Sequence, residues 1–161
     1  MNHAHAHRMM KNGIASMLLA MIGGFFLTFE MLGGISFSPV PVFMDMEIPG
    51  SARGWRILHI GMLMNGIMAI ALAVALKALV LSGGRAAIVS WGVIVAVWGN
   101  ALFYLFGMFA PNHGLSLHDS PLGEASLAGA LAFVPAIIGA VTLFAALLLM
   151  LGARSNADPN P

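Results

Sequence analysis

Ile57-Leu58-His59-Ile60-Gly61-Met62-Leu63-Met64-Asn65-Gly66-Ile67-Met68-Ala69-Ile70-Ala71-Leu72-Ala73-Val74-Ala75-Leu76 is a run of twenty residues without a formal charge. A helix rises about 1.5 Å per residue, so this run spans about 30 Å, the thickness of a bilayer's hydrocarbon core. Only helices and closed barrels satisfy their own backbone groups there. Three further runs read the same way. They are Gly13 to Phe29 (reaching Gly34 past Glu30), Ala86 to Ala110, and Ala125 to Ala153. The predicted fold is an all-α membrane protein. It is a four-transmembrane-helix bundle in one domain, with spans near 13–34, 55–81, 86–110 and 124–152.

Composition demands the same answer. Charged residues are 8% of the 161-residue chain, against about a quarter in soluble domains. Seven basic and six acidic side chains cannot clothe a soluble globule of this size. The mean hydropathy of +0.92 agrees. A net charge of +1 offers no basic field for nucleic acid. The absence of Cys removes disulfides, iron–sulfur clusters, thiolate-ligated haem and cysteine nucleophiles. Alternating ten-residue strands, the mark of an outer-membrane barrel, are absent. The first apolar run precedes three others and reads as a permanent span, not a cleaved signal.

Local punctuation sets the boundaries. Pro39, Pro41 and Pro49 make residues 36–51 a non-helical connection. Ser82-Gly83-Gly84 reads as a tight turn, and Pro111 as the stop for the third helix. Pro135 falls inside the fourth span and predicts a kink. Residues 1–11, with His3, His5 and His7, and residues 154–161 read as disordered tails. With the N-terminus inside, the inner segments carry Arg8, Lys11, Lys77, Arg85 and Arg154, and the outer loops only Arg53 and Arg56. Both termini are therefore expected in the cytoplasm.

Polar groups in hydrocarbon are costly and tend to have a purpose. His59 and Asn65 lie in the second helix, Asn100 and Tyr104 in the third. Asn100 and Tyr104 are four residues apart and share a face. His59 and Asn65 are six apart, about 120° around a helix. They line two walls of one pocket or face different neighbours, and the sequence leaves both open. His59 suits a metal or haem ligand, or a histidine bonded to a carbonyl or water. Asn65 and Asn100 suit ligand binding or a clip between helices. Tyr104 suits a donor to substrate or an interfacial anchor. Glu30 suits a proton-coupled transporter, or a carboxylate meeting headgroups. Gly61 and Gly66 permit close approach by a helix or by a flat ligand.

Two stretches stand out together. One is Gly54-Trp55-Arg56-Ile57-Leu58-His59-Ile60-Gly61-Met62-Leu63-Met64-Asn65-Gly66. The other is Trp98-Gly99-Asn100-Ala101-Leu102-Phe103-Tyr104-Leu105-Phe106, continuing to Phe109-Ala110-Pro111-Asn112-His113-Gly114-Leu115. They resemble the styrene oxide isomerase family of small bacterial membrane enzymes. The likeness extends to length, four spans, Pro49-Gly50-Ser51 and Pro135.

The resemblance implies haem b as cofactor, with His59 as the axial ligand of its iron. It implies homotrimers with haem at the subunit interfaces, and it leaves room for a soluble monooxygenase as partner. Asn65 and Tyr104 fall on the positions that meet an epoxide on the open side of the haem, with Asn100 supporting them. The implied reaction is a Meinwald rearrangement of a small apolar aryl epoxide to an aldehyde, styrene oxide giving phenylacetaldehyde. Ferric haem is then a Lewis acid, and a 1,2-hydride shift follows opening of the benzylic C–O bond. The competing classes are a small membrane electron carrier, a transporter using Glu30, and a scaffold for a soluble enzyme.

Overall fold

A computed structural model describes residues 2–156. Four long helices dominate: α1 (His3–Leu32), α2 (Ala52–Lys77), α3 (Gly83–Gly107) and α4 (Leu127–Leu151). All four are long and apolar enough to cross a membrane. Two antiparallel ribbons accompany them. β1 (Gly34–Ser36) pairs with β2 (Phe43–Asp45) in the α1–α2 connection. β3 (Leu79–Val80), just after α2, pairs with β4 (Arg154–Ser155), just after α4.

Serine starts three of the helices. Ser51, Ser82 and Ser126 are extended at their N-caps, and each hydroxyl accepts from the backbone N–H three residues on. That bond satisfies one of the donors a helix start leaves orphaned. Ser82-Gly83-Gly84 is therefore a cap and a first helical turn, where the sequence suggested a tight turn. α1 ends at Gly33, whose left-handed backbone (φ 72°) suits glycine. α3 stops at Gly107, three residues before the expected limit, as Phe109 N–H turns back to the Phe106 carbonyl.

The amino-terminal segment departs from expectation. Residues 3–11 are the first turns of α1 and not a disordered leader. Ala6 and Met9 are fully buried, and the Ser90 hydroxyl donates to the His5 carbonyl. Asn2 donates through Nδ2 to the carbonyls of Leu76 and Leu79. The His-Ala alternation conceals the start of an apolar stripe, Ala6 and Met9, that continues through Gly13 and Ser16 where α1 meets α2, while the His5 carbonyl beside it meets α3. Arg154 and Ser155, also expected in a tail, are strand β4. Asn156 bonds to the carbonyls of Lys77 and Ala78. Residues 157–161 lie outside the described residues. Asn2 and Asn156, at the two ends of the described segment, thus both meet the α2–α3 connection at one end of the bundle.

The helices form two close pairs, α1 on α2 and α3 on α4, joined where α2 and α1 meet α3. Glycine sets the first crossing. A Cβ on Gly13 would lie 2.8 Å from the Gly66 carbonyl, and one on Gly66 would lie 2.7 Å from the Gly13 carbonyl. Small residues are how membrane helices reach such proximity. Ser16, buried beside this crossing, donates to the Met62 carbonyl at 2.6 Å. The outward face of α4 (Leu127, Val141, Phe144, Leu151) is apolar and exposed in the single chain, as suits a surface facing lipid.

Candidate active site

α2 carries polar groups on two sides. His59 faces α1. Its Nδ1 lies 2.7 Å from the Ala20 carbonyl. A carbonyl only accepts, so Nδ1 carries a proton, and in the neutral ring Nε2 is then the atom with the lone pair. Nε2 has no hydrogen-bond partner among the described residues. This is the tautomer and the outer hydrogen bond that orient a metal-binding imidazole. Gly24 makes room for the ring, since a Cβ there would lie 2.9 Å from Nδ1. The sequence could not name Ala20 or Gly24, because one acts through its backbone and the other through a missing side chain.

The other side of α2 meets α3. Asn100 Nδ2 donates to Asn65 Oδ1 at 2.9 Å. Asn65 Nδ2 donates to the Gly61 carbonyl at 2.8 Å and reaches the Tyr104 hydroxyl at 3.4 Å. The Gly61 carbonyl decides which way the Asn65 amide points. Tyr104 is the end of this chain: its oxygen accepts, and its own O–H proton has no acceptor among the described residues. Gly61 seats the Tyr104 ring so closely that a Cβ there would overlap it. The two glycines flanking the polar stretch of α2 therefore serve helix and side-chain packing within the chain.

The structure thus brings Asn65, Asn100 and Tyr104 together and holds His59 apart. On the question the spacing leaves open, His59 and Asn65 face different neighbours. Tyr104 is held by α2 and not free as an interfacial anchor. Asn65 and Asn100 do clip two helices, and the clip is also what aims Tyr104.

The later motif is architectural. Asn112 is fully buried, donates to the Ser116 carbonyl and accepts from Gly114 N–H. That turn holds His113 at φ 56° and Gly114 at φ 71°, and closes the loop over Gly107.

The styrene oxide isomerase family model matches residues 5–154. The chain belongs to the styrene oxide isomerase family. A Pseudomonas fluorescens protein named styrene-oxide isomerase is 30% identical over 150 residues, covering 93% of this chain and 88% of that protein. The chain is an isomerase and a multi-pass membrane protein. In this styrene oxide isomerase family member the Gly54–Gly66 motif lies on α2 and the Trp98–Phe106 motif on α3, with His59 on the α1 side of α2 and Asn65, Asn100 and Tyr104 together on the α3 side.

The His59 side fits a haem better than a bare ion. Among the described residues, no three His, Cys, Asp or Glu side chains gather to hold a metal. One imidazole with its Nδ1 already bonded suffices for a macrocycle that brings four nitrogens of its own. Ile60 and Met64, on the outward face of α2, add exposed apolar surface close in sequence to the ring.

Proposed function

We propose that the protein converts aryl epoxides such as styrene oxide to aldehydes such as phenylacetaldehyde, with haem b held through Nε2 of His59. When bound, ferric haem supplies a Lewis acid for the epoxide oxygen. The observation that carries the reading is the unspent proton on Tyr104 at the end of the Asn100–Asn65–Tyr104 chain.

The substrate is apolar and enters lipid readily. As its benzylic C–O bond lengthens, negative charge grows on oxygen and positive charge on the benzylic carbon, where the aromatic ring disperses it. Tyr104 donates its proton as a hydrogen bond to that oxygen. Asn65 holds the phenol oxygen, and Asn100 holds Asn65. A hydride moves from the terminal carbon to the benzylic carbon, and the C–O pair closes to a carbonyl. Atoms and electrons balance within the substrate, so no reductant or oxidant is consumed. Beyond the Asn65–Asn100–Tyr104 chain, the side chains beside the phenol (Ile57, Phe103, Met108 and Leu115) are apolar, which limits the water that would turn the cation into a diol.

Geometry favours a site shared between copies. His59 and Gly61, the seat of Tyr104, are two residues apart, about 200° around α2. One chain cannot turn both residues to one substrate molecule, whereas two neighbouring copies can. We read the working unit as a homotrimer with haem between subunits. It sits in the bacterial inner membrane with both termini cytoplasmic, and a soluble monooxygenase supplies the epoxide.

The deciding experiment is the absorbance spectrum of detergent-purified, haem-replete protein beside His59→Ala, followed by addition of styrene oxide. The expected result is a Soret band absent from the variant and perturbed by the epoxide, with phenylacetaldehyde appearing. Well-folded wild type that binds no haem and leaves the epoxide unchanged overturns the reading. It would bring forward transport through Glu30 or a scaffold role.

A further inference from the structure

Beside Tyr104, at the end of the bundle away from the termini, lies a cavity of about 240 Å³. Its walls are the first turns of α2, the last turns of α3 and the loop that Asn112 shapes. Ile57, Phe103, Met108 and Leu115 make it predominantly apolar. The rings of Phe103 and Tyr104 meet edge to face, with centroids 5.8 Å apart. Arg53 and His113, both exposed, stand at its rim. Tyr104 belongs both to this cavity and to the polar chain from Asn100.

We propose that this cavity is the vestibule through which the aryl group of the substrate enters and the aryl aldehyde leaves, opening at the headgroup level and not laterally from the lipid core. The proposal rests on the isomerase reading, which names the ligand class. Its size suits that class, since an apolar cavity of about 150 Å³ already accepts benzene. Its chemistry does too. Aromatic edges and a methionine thioether favour an aryl ring. The guanidinium of Arg53 and the imidazole of His113 offer donors to an oxygen at the mouth. Depth agrees as well. α2 begins at Ala52 and α3 ends at Gly107, so the rim lies at the ends of both spans while Tyr104 lies about a turn inside.

Glycine and backbone make the vestibule specific. A Cβ on Gly54 would lie 2.6 Å from Met108 Cβ, so Met108 rests against bare backbone. Gly107 brings α3 to the His113 carbonyl, 3.1 Å from where its Cβ would stand. The cavity is therefore framed by two close approaches and not by a loose loop.

The chain has no cysteine, so one introduced thiol reports one place. In purified full-length Leu115→Cys, reaction with a water-soluble thiol reagent should slow at least about fivefold in saturating acetophenone, an unreactive aryl carbonyl probe. Leu117→Cys, exposed in the same loop and outside the cavity, should react at an unchanged rate. A second arm uses turnover. Leu115→Trp and Ile57→Trp should each lower kcat/KM for styrene oxide about tenfold with the haem spectrum intact. Ile138→Trp, on the outer surface of α4, should leave it unchanged. If wild type is active, acetophenone does not protect Leu115→Cys and both Trp variants keep full kcat/KM, the vestibule is overturned and the isomerase stands. If acetophenone protects Leu115→Cys but wild type isomerises no epoxide, the aryl site stands and the isomerase reading falls.

Discussion

His59 and Tyr104 flank α2 from opposite sides at nearly one depth, His59 bonded to the Ala20 carbonyl and Tyr104 seated on Gly61. The separation has a direct consequence for a site divided between copies. Co-produced His59→Ala and Tyr104→Phe chains, each strongly impaired alone, should recover activity when mixed in one oligomer. With random mixing, about a quarter of the sites would pair an intact histidine with an intact tyrosine. Turnover of tandem-purified mixed oligomers tests this. No recovery would place both residues' work within one chain.

Tyr104→Phe removes only the hydroxyl and keeps the ring on Gly61. Loss of one donor to a developing oxyanion costs about 10²–10³ in kcat. The variant should keep its haem spectrum and thermal stability while kcat falls by that factor. Stopped-flow aldehyde formation at saturating epoxide is the measurement. A variant with unchanged kcat would remove Tyr104 from the chemistry.

Asn100→Ala leaves Asn65 Oδ1 without its donor between α2 and α3. Interhelical hydrogen bonds in membranes are worth about 0.6–2 kcal/mol. Stability should fall by that order, and activity should fall less than in Tyr104→Phe because the phenol remains. Asn100→Asp, which can still reach Asn65 when protonated, should restore part of the activity at low pH. Thermal unfolding and initial rates at two pH values separate the effects.

Gly61→Ala tests the seat of Tyr104. A Cβ there overlaps the ring, so the ring must move and its weak contact with Asn65 must lengthen. Haem content should stay near that of wild type, because His59 is held from α1. Epoxide turnover should drop about tenfold, by misplacement of the donor. Equal loss of haem and activity would mean that the two sides of α2 are not independent.

Gly13→Val and Gly66→Val strike the α1–α2 crossing instead. Overpacking a close contact costs about 1–3 kcal/mol. Both variants should lower the unfolding temperature in detergent. They should also weaken haem retention, since Ala20 and Gly24 on α1 hold the His59 ring. Normal stability in both variants would mean the crossing can relax without cost.

Four spans were legible in the chain because membrane solvent imposes one strict demand, an uncharged run long enough to cross with every backbone group paired. The twenty residues from Ile57 to Leu76 meet that demand by themselves. The same economy exposed His59, Asn65, Asn100 and Tyr104, since polar residues are conspicuous where nearly all others are apolar. Residues 3–11 were harder to read. Alternating His and Ala look polar along the chain, and only helix packing shows that Ala6 and Met9 make a buried face.

Sequence determined the spans, the polar residues and the family motifs, because each depends on residue type and spacing alone. Tertiary structure decided their partners. His59 and Asn65 point about 120° apart on any helix. Which neighbour each meets depends on where α1 and α3 pack, and that is set by the Gly13–Gly66 crossing and the Gly61 seat. The Ala20 carbonyl that fixes the His59 tautomer, and the Asn100–Asn65 bond that frees the Tyr104 proton, join residues 39 and 35 apart in the chain. No local pattern encodes such pairs, because they arise only when helices close on one another.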